Sequence, residues 1–285
     1  MTRPEREAAV NMPELPEIEN VVRALRADLE GARLGRVRYW RRGVVYGVSR
    51  SLDGVLRGRV VEAVGRTGKR IEIRLSGDMR MYAHLGMTGH LAVLPAGEEW
   101  APHTHLCVDL AGREAQLRFR DVRRFGGIWL RGAHARHRGR PLPAAGPDVL
   151  ALGLRRFREV MRRPRQIKAL FLDQRALAGM GNIYCDEVLF RCGVHPLRKA
   201  STLRDDDVKR LYQCVRRVLH AAIRSGGSTV RDYRGARNER GAYQRRHQVY
   251  GRAGQRCYRC GAVLVRMQAA GRGTVICPCC QPSPT

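Results

Sequence analysis

Four cysteines near the C-terminus carry the most specific chemistry in this sequence. Cys257-x-x-Cys260 and Cys277-x-x-Cys280 are separated by sixteen residues, the pattern of two knuckles at the bases of a short hairpin that bring four thiolates to one tetrahedral zinc ion. So small a unit has no adequate core of its own, and the metal supplies much of its folding free energy. Cys279 stands beside the second pair and competes for one of its two ligand places, although the spacing favours Cys277 and Cys280. Arg256, Arg259, Arg266 and Arg272 lie within or beside this ribbon, and an arginine at a hairpin tip can fork onto a phosphate. A second constellation is Gly179-Met180-Gly181-Asn182. It leads into a helical stretch, where a glycine-rich turn can offer backbone N–H groups to a phosphate.

The whole chain is basic. It has 285 residues, 54 of them Lys or Arg against 26 Asp or Glu, for a net charge of +28. Both signs occur along most of its length, so this is a basic folded surface rather than a basic tail, and a polyanion is the expected partner. Lysine occurs only at Lys69, Lys168, Lys199 and Lys209. An arginine-biased genome would account for the choice of Arg but not for the surplus of cations over acids. No apolar run approaches the roughly 20 residues of a membrane span, and residues 1–11 have no apolar stretch that could serve a signal peptide. Clustered cysteines without a secretory segment read as metal ligands, and a cytosolic location is expected.

Elements of two kinds must position these groups. In residues 16–30, Ile18, Val21, Val22, Leu25 and Leu29 recur at helical spacing and Gly31 follows, which predicts an amphipathic helix. From residue 36 to about 131, short runs rich in Val, Ile, Leu and Tyr alternate with Gly and Arg. Strands are expected at 59–64, 70–75, 79–84, 105–110, 116–120 and 127–130, forming a β-sandwich or barrel. Residues 132–147, dense in Gly, Pro, Ala and Arg, read as a linker. Helices are expected at 152–161, 167–174, 182–192 and 204–225. Residues 231–247 lose the period and read as a loop near the ligand, and the ribbon occupies 249–285.

Seven ordered motifs between Met12 and Gln281 resemble one family, the formamidopyrimidine-DNA glycosylases. They are Met12-Pro13-Glu14-Leu15-Pro16-Glu17-Ile18-Glu19, Gly68-Lys69-Arg70, His84-Leu85-Gly86-Met87-Thr88-Gly89, Asp121-Val122-Arg123-Arg124-Phe125-Gly126, Gly179-Met180-Gly181-Asn182-Ile183-Tyr184, Val249-Tyr250-Gly251-Arg252 and the cysteine ribbon. Leu15 is more similar to the purine-directed branch than to the endonuclease VIII branch, which attacks oxidised pyrimidines. The resemblance implies an α+β multidomain fold: an N-terminal helix plus β-sandwich catalytic domain (12–131), a helical helix-two-turns-helix DNA-binding domain (148–248) and a C-terminal zinc ribbon. It also implies a monomer acting on double-stranded DNA that contains oxidised bases such as 8-oxoguanine and formamidopyrimidines, with nicking by β,δ-elimination.

The chemistry implied is that of an N-terminal proline, whose secondary amine is a good nucleophile because an α-amino group titrates at about 8. By resemblance, Pro13 attacks the anomeric carbon of the damaged nucleotide, expels the base and forms an iminium, and that cation acidifies the neighbouring carbon for elimination. Glu14 moves protons at the sugar, Lys69 is a further acid, and Arg272 binds phosphate and is linked to the second elimination. A base inside a duplex must be turned out first. Met87, Arg123 and Phe125 resemble the residues that fill the gap, and His103, Arg163, Lys168 and Asn182 those that contact the DNA backbone. By position, residues 238–243 resemble the loop that closes over an extruded base, but their sequence matches poorly.

One departure stands out. Eleven residues precede Met12, and a proline within a chain is a tertiary amide without a nucleophilic nitrogen. Three accounts are open: translation begins at Met12 and that Met is removed, the extension is clipped, or the chain is a non-catalytic DNA binder of the same fold. The position of Met12 directly before Pro13 favours the first. A zinc-ribbon RNA-binding protein is a further reading, which leaves Pro13, Glu14 and the Arg123 loop without a purpose.

Overall fold

The computed structural model describes residues 12–40, 43–47, 51–132, 139–229, 235 and 239–284. The expected N-terminal extension, the middle of the expected linker and most of residues 230–238 lie outside them.

The first helix, α1 (Leu15–Leu29), forms where its periodicity places it, and the five apolar residues of its stripe are all buried. Glu17 accepts the Glu14 N–H at 2.9 Å, satisfying one of the donors that a helix start leaves open. Gly31 ends the helix at φ +79°, a left-handed conformation that costs glycine nothing, and hands its N–H to Val61.

Two sheets follow. Strands β1 (Leu34–Tyr39), β6 (Gly89–Pro95), β7 (Thr104–Leu110) and β8 (Ala115–Asp121) form a sheet in the order β1-β7-β8-β6. Strands β2 (Val45–Tyr46), β3 (Val61–Thr67), β4 (Arg70–Leu75), β5 (Met79–His84) and β9 (Gly127–Arg131) form the other, in the order β2-β9-β5-β4-β3. Alternation works as expected in β4, where Ile71, Ile73 and Leu75 point inward. Both sheets and α1 share one apolar core. Several details differ from expectation, β1 and β2 among them, since neither coincides with an expected run. The strand expected at 59–64 starts at Val61, because Val60 is engaged by a bridge to Arg33 and by the Ser76 hydroxyl. Strand β6 escapes the period-two pattern because Leu91 and Ala92 are both buried. A short helix, α2 (Leu52–Leu56), is too brief to show a helical period.

The second half is helical: α3 (Leu154–Met161), α4 (Ile167–Leu172), α5 (Asn182–Cys192) and α6 (Asp205–Arg224). Helix α4 stops two residues short of expectation, where the Asp173 carboxylate takes the Arg175 N–H and pairs with Arg165. These helices enclose a second core that includes Leu15 from the start of α1. A hairpin of β10 (Val265–Ala269) and β11 (Arg272–Ile276) closes the chain, over a third cluster that joins Phe190 and Val249 to Leu264, Val275, Cys257 and Cys277. Among the described residues no helix is long and apolar enough to cross a membrane.

The two halves are joined by specific bonds. Asp148 accepts the Gly68 N–H at 2.7 Å and pairs with Arg66, and the Leu15 N–H reaches the Gly179 carbonyl at 3.1 Å. Gly68 lies so close to Ala178 that a Cβ there would fall 2.6 Å from the alanine methyl. The β3–β4 turn that carries Lys69 is thereby docked against the helical half.

Candidate active site and nucleic-acid interface

Pro13 and Glu14 are buried at this joint, immediately before α1. The Glu14 carboxylate caps α5, accepting the N–H groups of Ile183 at 2.9 Å and Tyr184 at 3.3 Å. Those donors were expected to face a phosphate. The structure gives them to Glu14 instead, because a carboxylate from the other half already occupies the positive end of the helix. Gly181 makes this approach feasible, since a Cβ there would lie 2.1 Å from the carboxyl carbon. Burial pushes the Glu14 carboxyl above its ordinary range, against the pull of Lys69 and the backbone donors.

Lys69 is nearly buried. Burial lowers its pKa, Glu14 and Glu17 raise it, and Arg272 on the zinc hairpin lowers it further. Lys69 thus feels the charges of both Glu14 and Arg272, and Pro13 is covalently joined to Glu14. A buried acid whose pKa is raised near an amine whose pKa is lowered is a pair suited to exchanging protons.

Behind Glu14 lies a network that the sequence did not disclose. Glu17 receives the Tyr184 hydroxyl at 2.5 Å and the Ser228 N–H at 2.7 Å, and the Ser228 hydroxyl lies 3.1 Å from His247 Nε2. Burial, and then the charge of Glu14, push Glu17 up to about 7. The only sequence signal was the acid at position 17, which reads equally as a first-turn residue.

A second knot forms on the sandwich around Asp121, which is fully buried. Its carboxylate accepts the Thr88 hydroxyl at 2.6 Å and the Gly126 N–H at 2.8 Å, and Thr88 in turn accepts the Arg123 N–H at 3.0 Å. The loop carrying Met87 is so tied to the loop carrying Arg123 and Phe125. Phe125 is 46 % exposed and the Arg123 guanidinium covers its ring at 4.8 Å, leaving an apolar face and a cationic fork in solvent. His103, exposed with φ +69°, accepts the Asp121 N–H through its carbonyl. Thr88 and Asp121 were quoted only as motif members, and their anchoring role was missed.

The remaining positions divide. Arg163 is exposed in the turn between α3 and α4. Asn182 begins α5, its Nδ2 donating to the Gly273 carbonyl at 3.0 Å while Oδ1 has no protein partner. Lys168 corrects the expectation of a backbone contact. It is fully buried, with its ammonium 2.5 Å from Asp186 and 2.6 Å from the Thr274 hydroxyl, and it offers no charge to a polyanion. Asp186 also accepts the Val275 N–H at 3.3 Å, so the buried pair bolts β11, and Arg272 with it, to α4 and α5.

The sulfurs of Cys257, Cys260, Cys277 and Cys280 lie within 4.8 Å of one another. This fits one tetrahedral zinc ion with thiolate ligands. Cys279 is exposed and outside the group. The competition among the last three cysteines is resolved as the spacing favoured.

Comparison with known proteins agrees over most of the chain. Residues 12–128 match the formamidopyrimidine-DNA glycosylase N-terminal domain, residues 146–234 the H2TH domain of the same proteins, and residues 254–282 the zinc finger found in FPG and IleRS. The formamidopyrimidine-DNA glycosylase of Roseiflexus sp. (strain RS-1) is 42% identical, and that of Desulfitobacterium hafniense 37% identical, each over 274 residues that cover 95% of this chain and 100% of the relative. Among solved structures, the Lactococcus lactis Fpg in complex with abasic-site DNA superposes with a TM-score of 0.83 at 32% identity, covering 95% of this chain and 100% of that one. The MutM (Fpg) protein of Thermus thermophilus gives 0.80 at 38% identity, covering 96% and 100%.

Proposed function

Since the chain belongs to the formamidopyrimidine-DNA glycosylase family, whose members are bifunctional glycosylases and abasic-site lyases of base-excision repair, we propose that it excises oxidised purines, 8-oxoguanine and formamidopyrimidines, from duplex DNA and cleaves the strand by β,δ-elimination. The observation that carries this reading is the joint itself. Glu14 directly follows Pro13, caps α5, and interacts electrostatically with Lys69, which in turn feels Arg272.

The steps follow from these positions. With its amine free, Pro13 attacks the anomeric carbon; the carbon–nitrogen bond to the base breaks and the electron pair leaves with the base. Glu14, held above its ordinary pKa, supplies a proton to open the sugar ring, and the resulting iminium draws electron density from the adjacent carbon. Loss of a proton there expels the 3′ phosphate. Lys69, held below its ordinary pKa, exchanges protons at this stage, and Arg272 steadies the phosphate that leaves in the second elimination. Met87, Arg123 and Phe125 fill the space of the extruded nucleotide. His103, Arg163 and Asn182 hold the backbone. One chain supplies every group, which supports action as a monomer. The zinc ion supplies no chemistry and holds the hairpin that presents Arg272.

The test is borohydride trapping on a duplex carrying one 8-oxoguanine, with intact-mass measurement of the protein. A covalent adduct on a polypeptide that begins at Pro13 supports the proline-iminium route. A protein that binds the duplex, begins at Pro13 and never traps would overturn it.

A further inference from the structure

Glu17, Tyr184, Ser228 and His247 are all buried behind Glu14 and take no part in the steps described so far. They form one line of contacts. The Tyr184 hydroxyl donates to Glu17 at 2.5 Å and lies 3.2 Å from the Ser228 hydroxyl, which in turn lies 3.1 Å from His247 Nε2. At the inner end, Glu17 Oε2 accepts the Glu14 N–H at 2.9 Å, one peptide from Pro13. At the outer end, His247 follows the exposed Arg245 and Arg246, and its ring packs edge-on against Tyr243 at 5.8 Å and Tyr250 at 5.5 Å. The Ser228 N–H already ties this segment to Glu17, at 2.7 Å. The Ser228 hydroxyl is not part of that tie and bridges Tyr184 to His247 instead.

We propose that His247, Ser228 and Tyr184 form a proton relay that protonates Glu17 as Glu14 gives up its own proton, so that the two carboxyls keep a single negative charge between them.

In the excision reading, on which this rests, Glu14 protonates the sugar oxygen as the ring opens. Its O–H bond breaks, an O–H bond forms on the sugar, and Glu14 is left as a carboxylate. The Tyr184 proton then passes to Glu17, the Ser228 hydroxyl proton to Tyr184, and the Nε2 proton of a protonated His247 to Ser228. Each hydroxyl oxygen loses one proton and gains another. The sugar has gained one proton, His247 has become neutral, the negative charge has moved from Glu17 to Glu14, and solvent protonates His247 again.

The electrostatics favour this direction. Burial, and then the charge of Glu14, push Glu17 up to about 7, so a newly charged Glu14 draws a proton to its neighbour. His247 is faced by Ser228, by the Tyr243 and Tyr250 rings and by the charge of Glu187 on α5; burial lowers its pKa, Glu187 raises it, and the lowering prevails. Its imidazolium therefore gives up a proton readily. Tyr184, Ser228 and His247 act through Glu17, as positioning residues for the proton.

The experiment follows base release from a duplex carrying one 8-oxoguanine in single turnovers, near pH 5.5 and near pH 8.5. Ser228→Ala keeps the backbone N–H to Glu17 and removes only the hydroxyl. It should slow base release about tenfold at the higher pH and much less at the lower, where Glu17 already holds a proton. Ser228→Thr, which restores a hydroxyl, should recover the rate. His247→Gln keeps a polar side chain that carries no proton at either pH, and it should show the same pH-dependent loss. Slowing by the same factor at both pH values, which a merely structural role predicts, or no slowing in either variant would overturn the relay while leaving the excision reading intact. A parent protein that releases no base at either pH would overturn both.

Discussion

Glu14 and Ile183, 169 residues apart in sequence, are joined by a 2.9 Å hydrogen bond that places the carboxylate at the N-terminus of α5. The bond does two things at once: it fixes the acid next to Pro13 and it closes the joint between the halves. A Gln at position 14 retains an acceptor for one of the two helix donors but carries no exchangeable acid. Base release by Glu14→Gln in single-turnover assays should fall by about 10²–10⁴, with a stability loss of about 1 kcal/mol, the worth of a helix cap. Unchanged base release would remove Glu14 from the mechanism.

Phe125 offers a cleaner separation of fold from function. Its ring is nearly half exposed and lies under the Arg123 guanidinium. Phe125→Ala should change unfolding free energy by no more than about 0.5 kcal/mol. Excision from duplex should slow, while cleavage of a preformed abasic site, which has no base to extrude, should change less. Equal slowing on both substrates would argue against a role in extrusion.

Removing Lys168 should be costly without touching DNA. Lys168→Met leaves the buried Asp186 carboxyl without its partner, a situation that destabilises by about 3–5 kcal/mol. Adding Asp186→Asn removes the stranded carboxyl and should recover a large part of that loss in denaturant titrations. If the single variant were as stable as the parent and merely bound DNA less well, the phosphate-contact expectation would be right after all.

Glu17 makes stability depend on pH in a direction opposite to that of most carboxylates. Its folded pKa, about 7, lies above the unfolded value near 4.5, so the folded state binds the extra proton. The stability gained this way is fully present below the unfolded value and is lost as pH rises through the folded one. Glu17→Gln does not titrate. Relative to the parent, it should therefore gain on the order of 2 kcal/mol between pH 5 and pH 8, whatever hydrogen bond it forfeits. Parallel denaturation curves at several pH values measure this, and a constant difference would exclude the raised carboxyl.

What the sequence made legible was local. The stripe of α1, the inward residues of β4 and the cysteine spacing all report on contacts within a few residues or on one metal, so their patterns survive in one dimension. Pro13, Glu14 and Lys69 were found through motifs rather than through any visible proximity. Lys168 shows the limit: a lone lysine in a basic chain looks like surface charge, and only the fold reveals that Asp186 and Thr274, 18 and 106 residues away, enclose it. Asp121 and Tyr184 were hidden for the same reason, since each acts through partners that other strands or helices bring. Strand β6 was missed because burial on both faces erases alternation.

The long reach of Glu14 also orders events during synthesis. Chains fold from the N-terminus as they leave the ribosome, and both sheets are complete once β9 has emerged. At that point Pro13 and Lys69 exist, but Leu15 has no second core to enter and Glu14 no helix to cap, because that core begins at Val149 and α5 at Asn182. The joint around Pro13 is therefore assembled late, and an interrupted translation product carries Pro13 and Lys69 without the helix that receives Glu14.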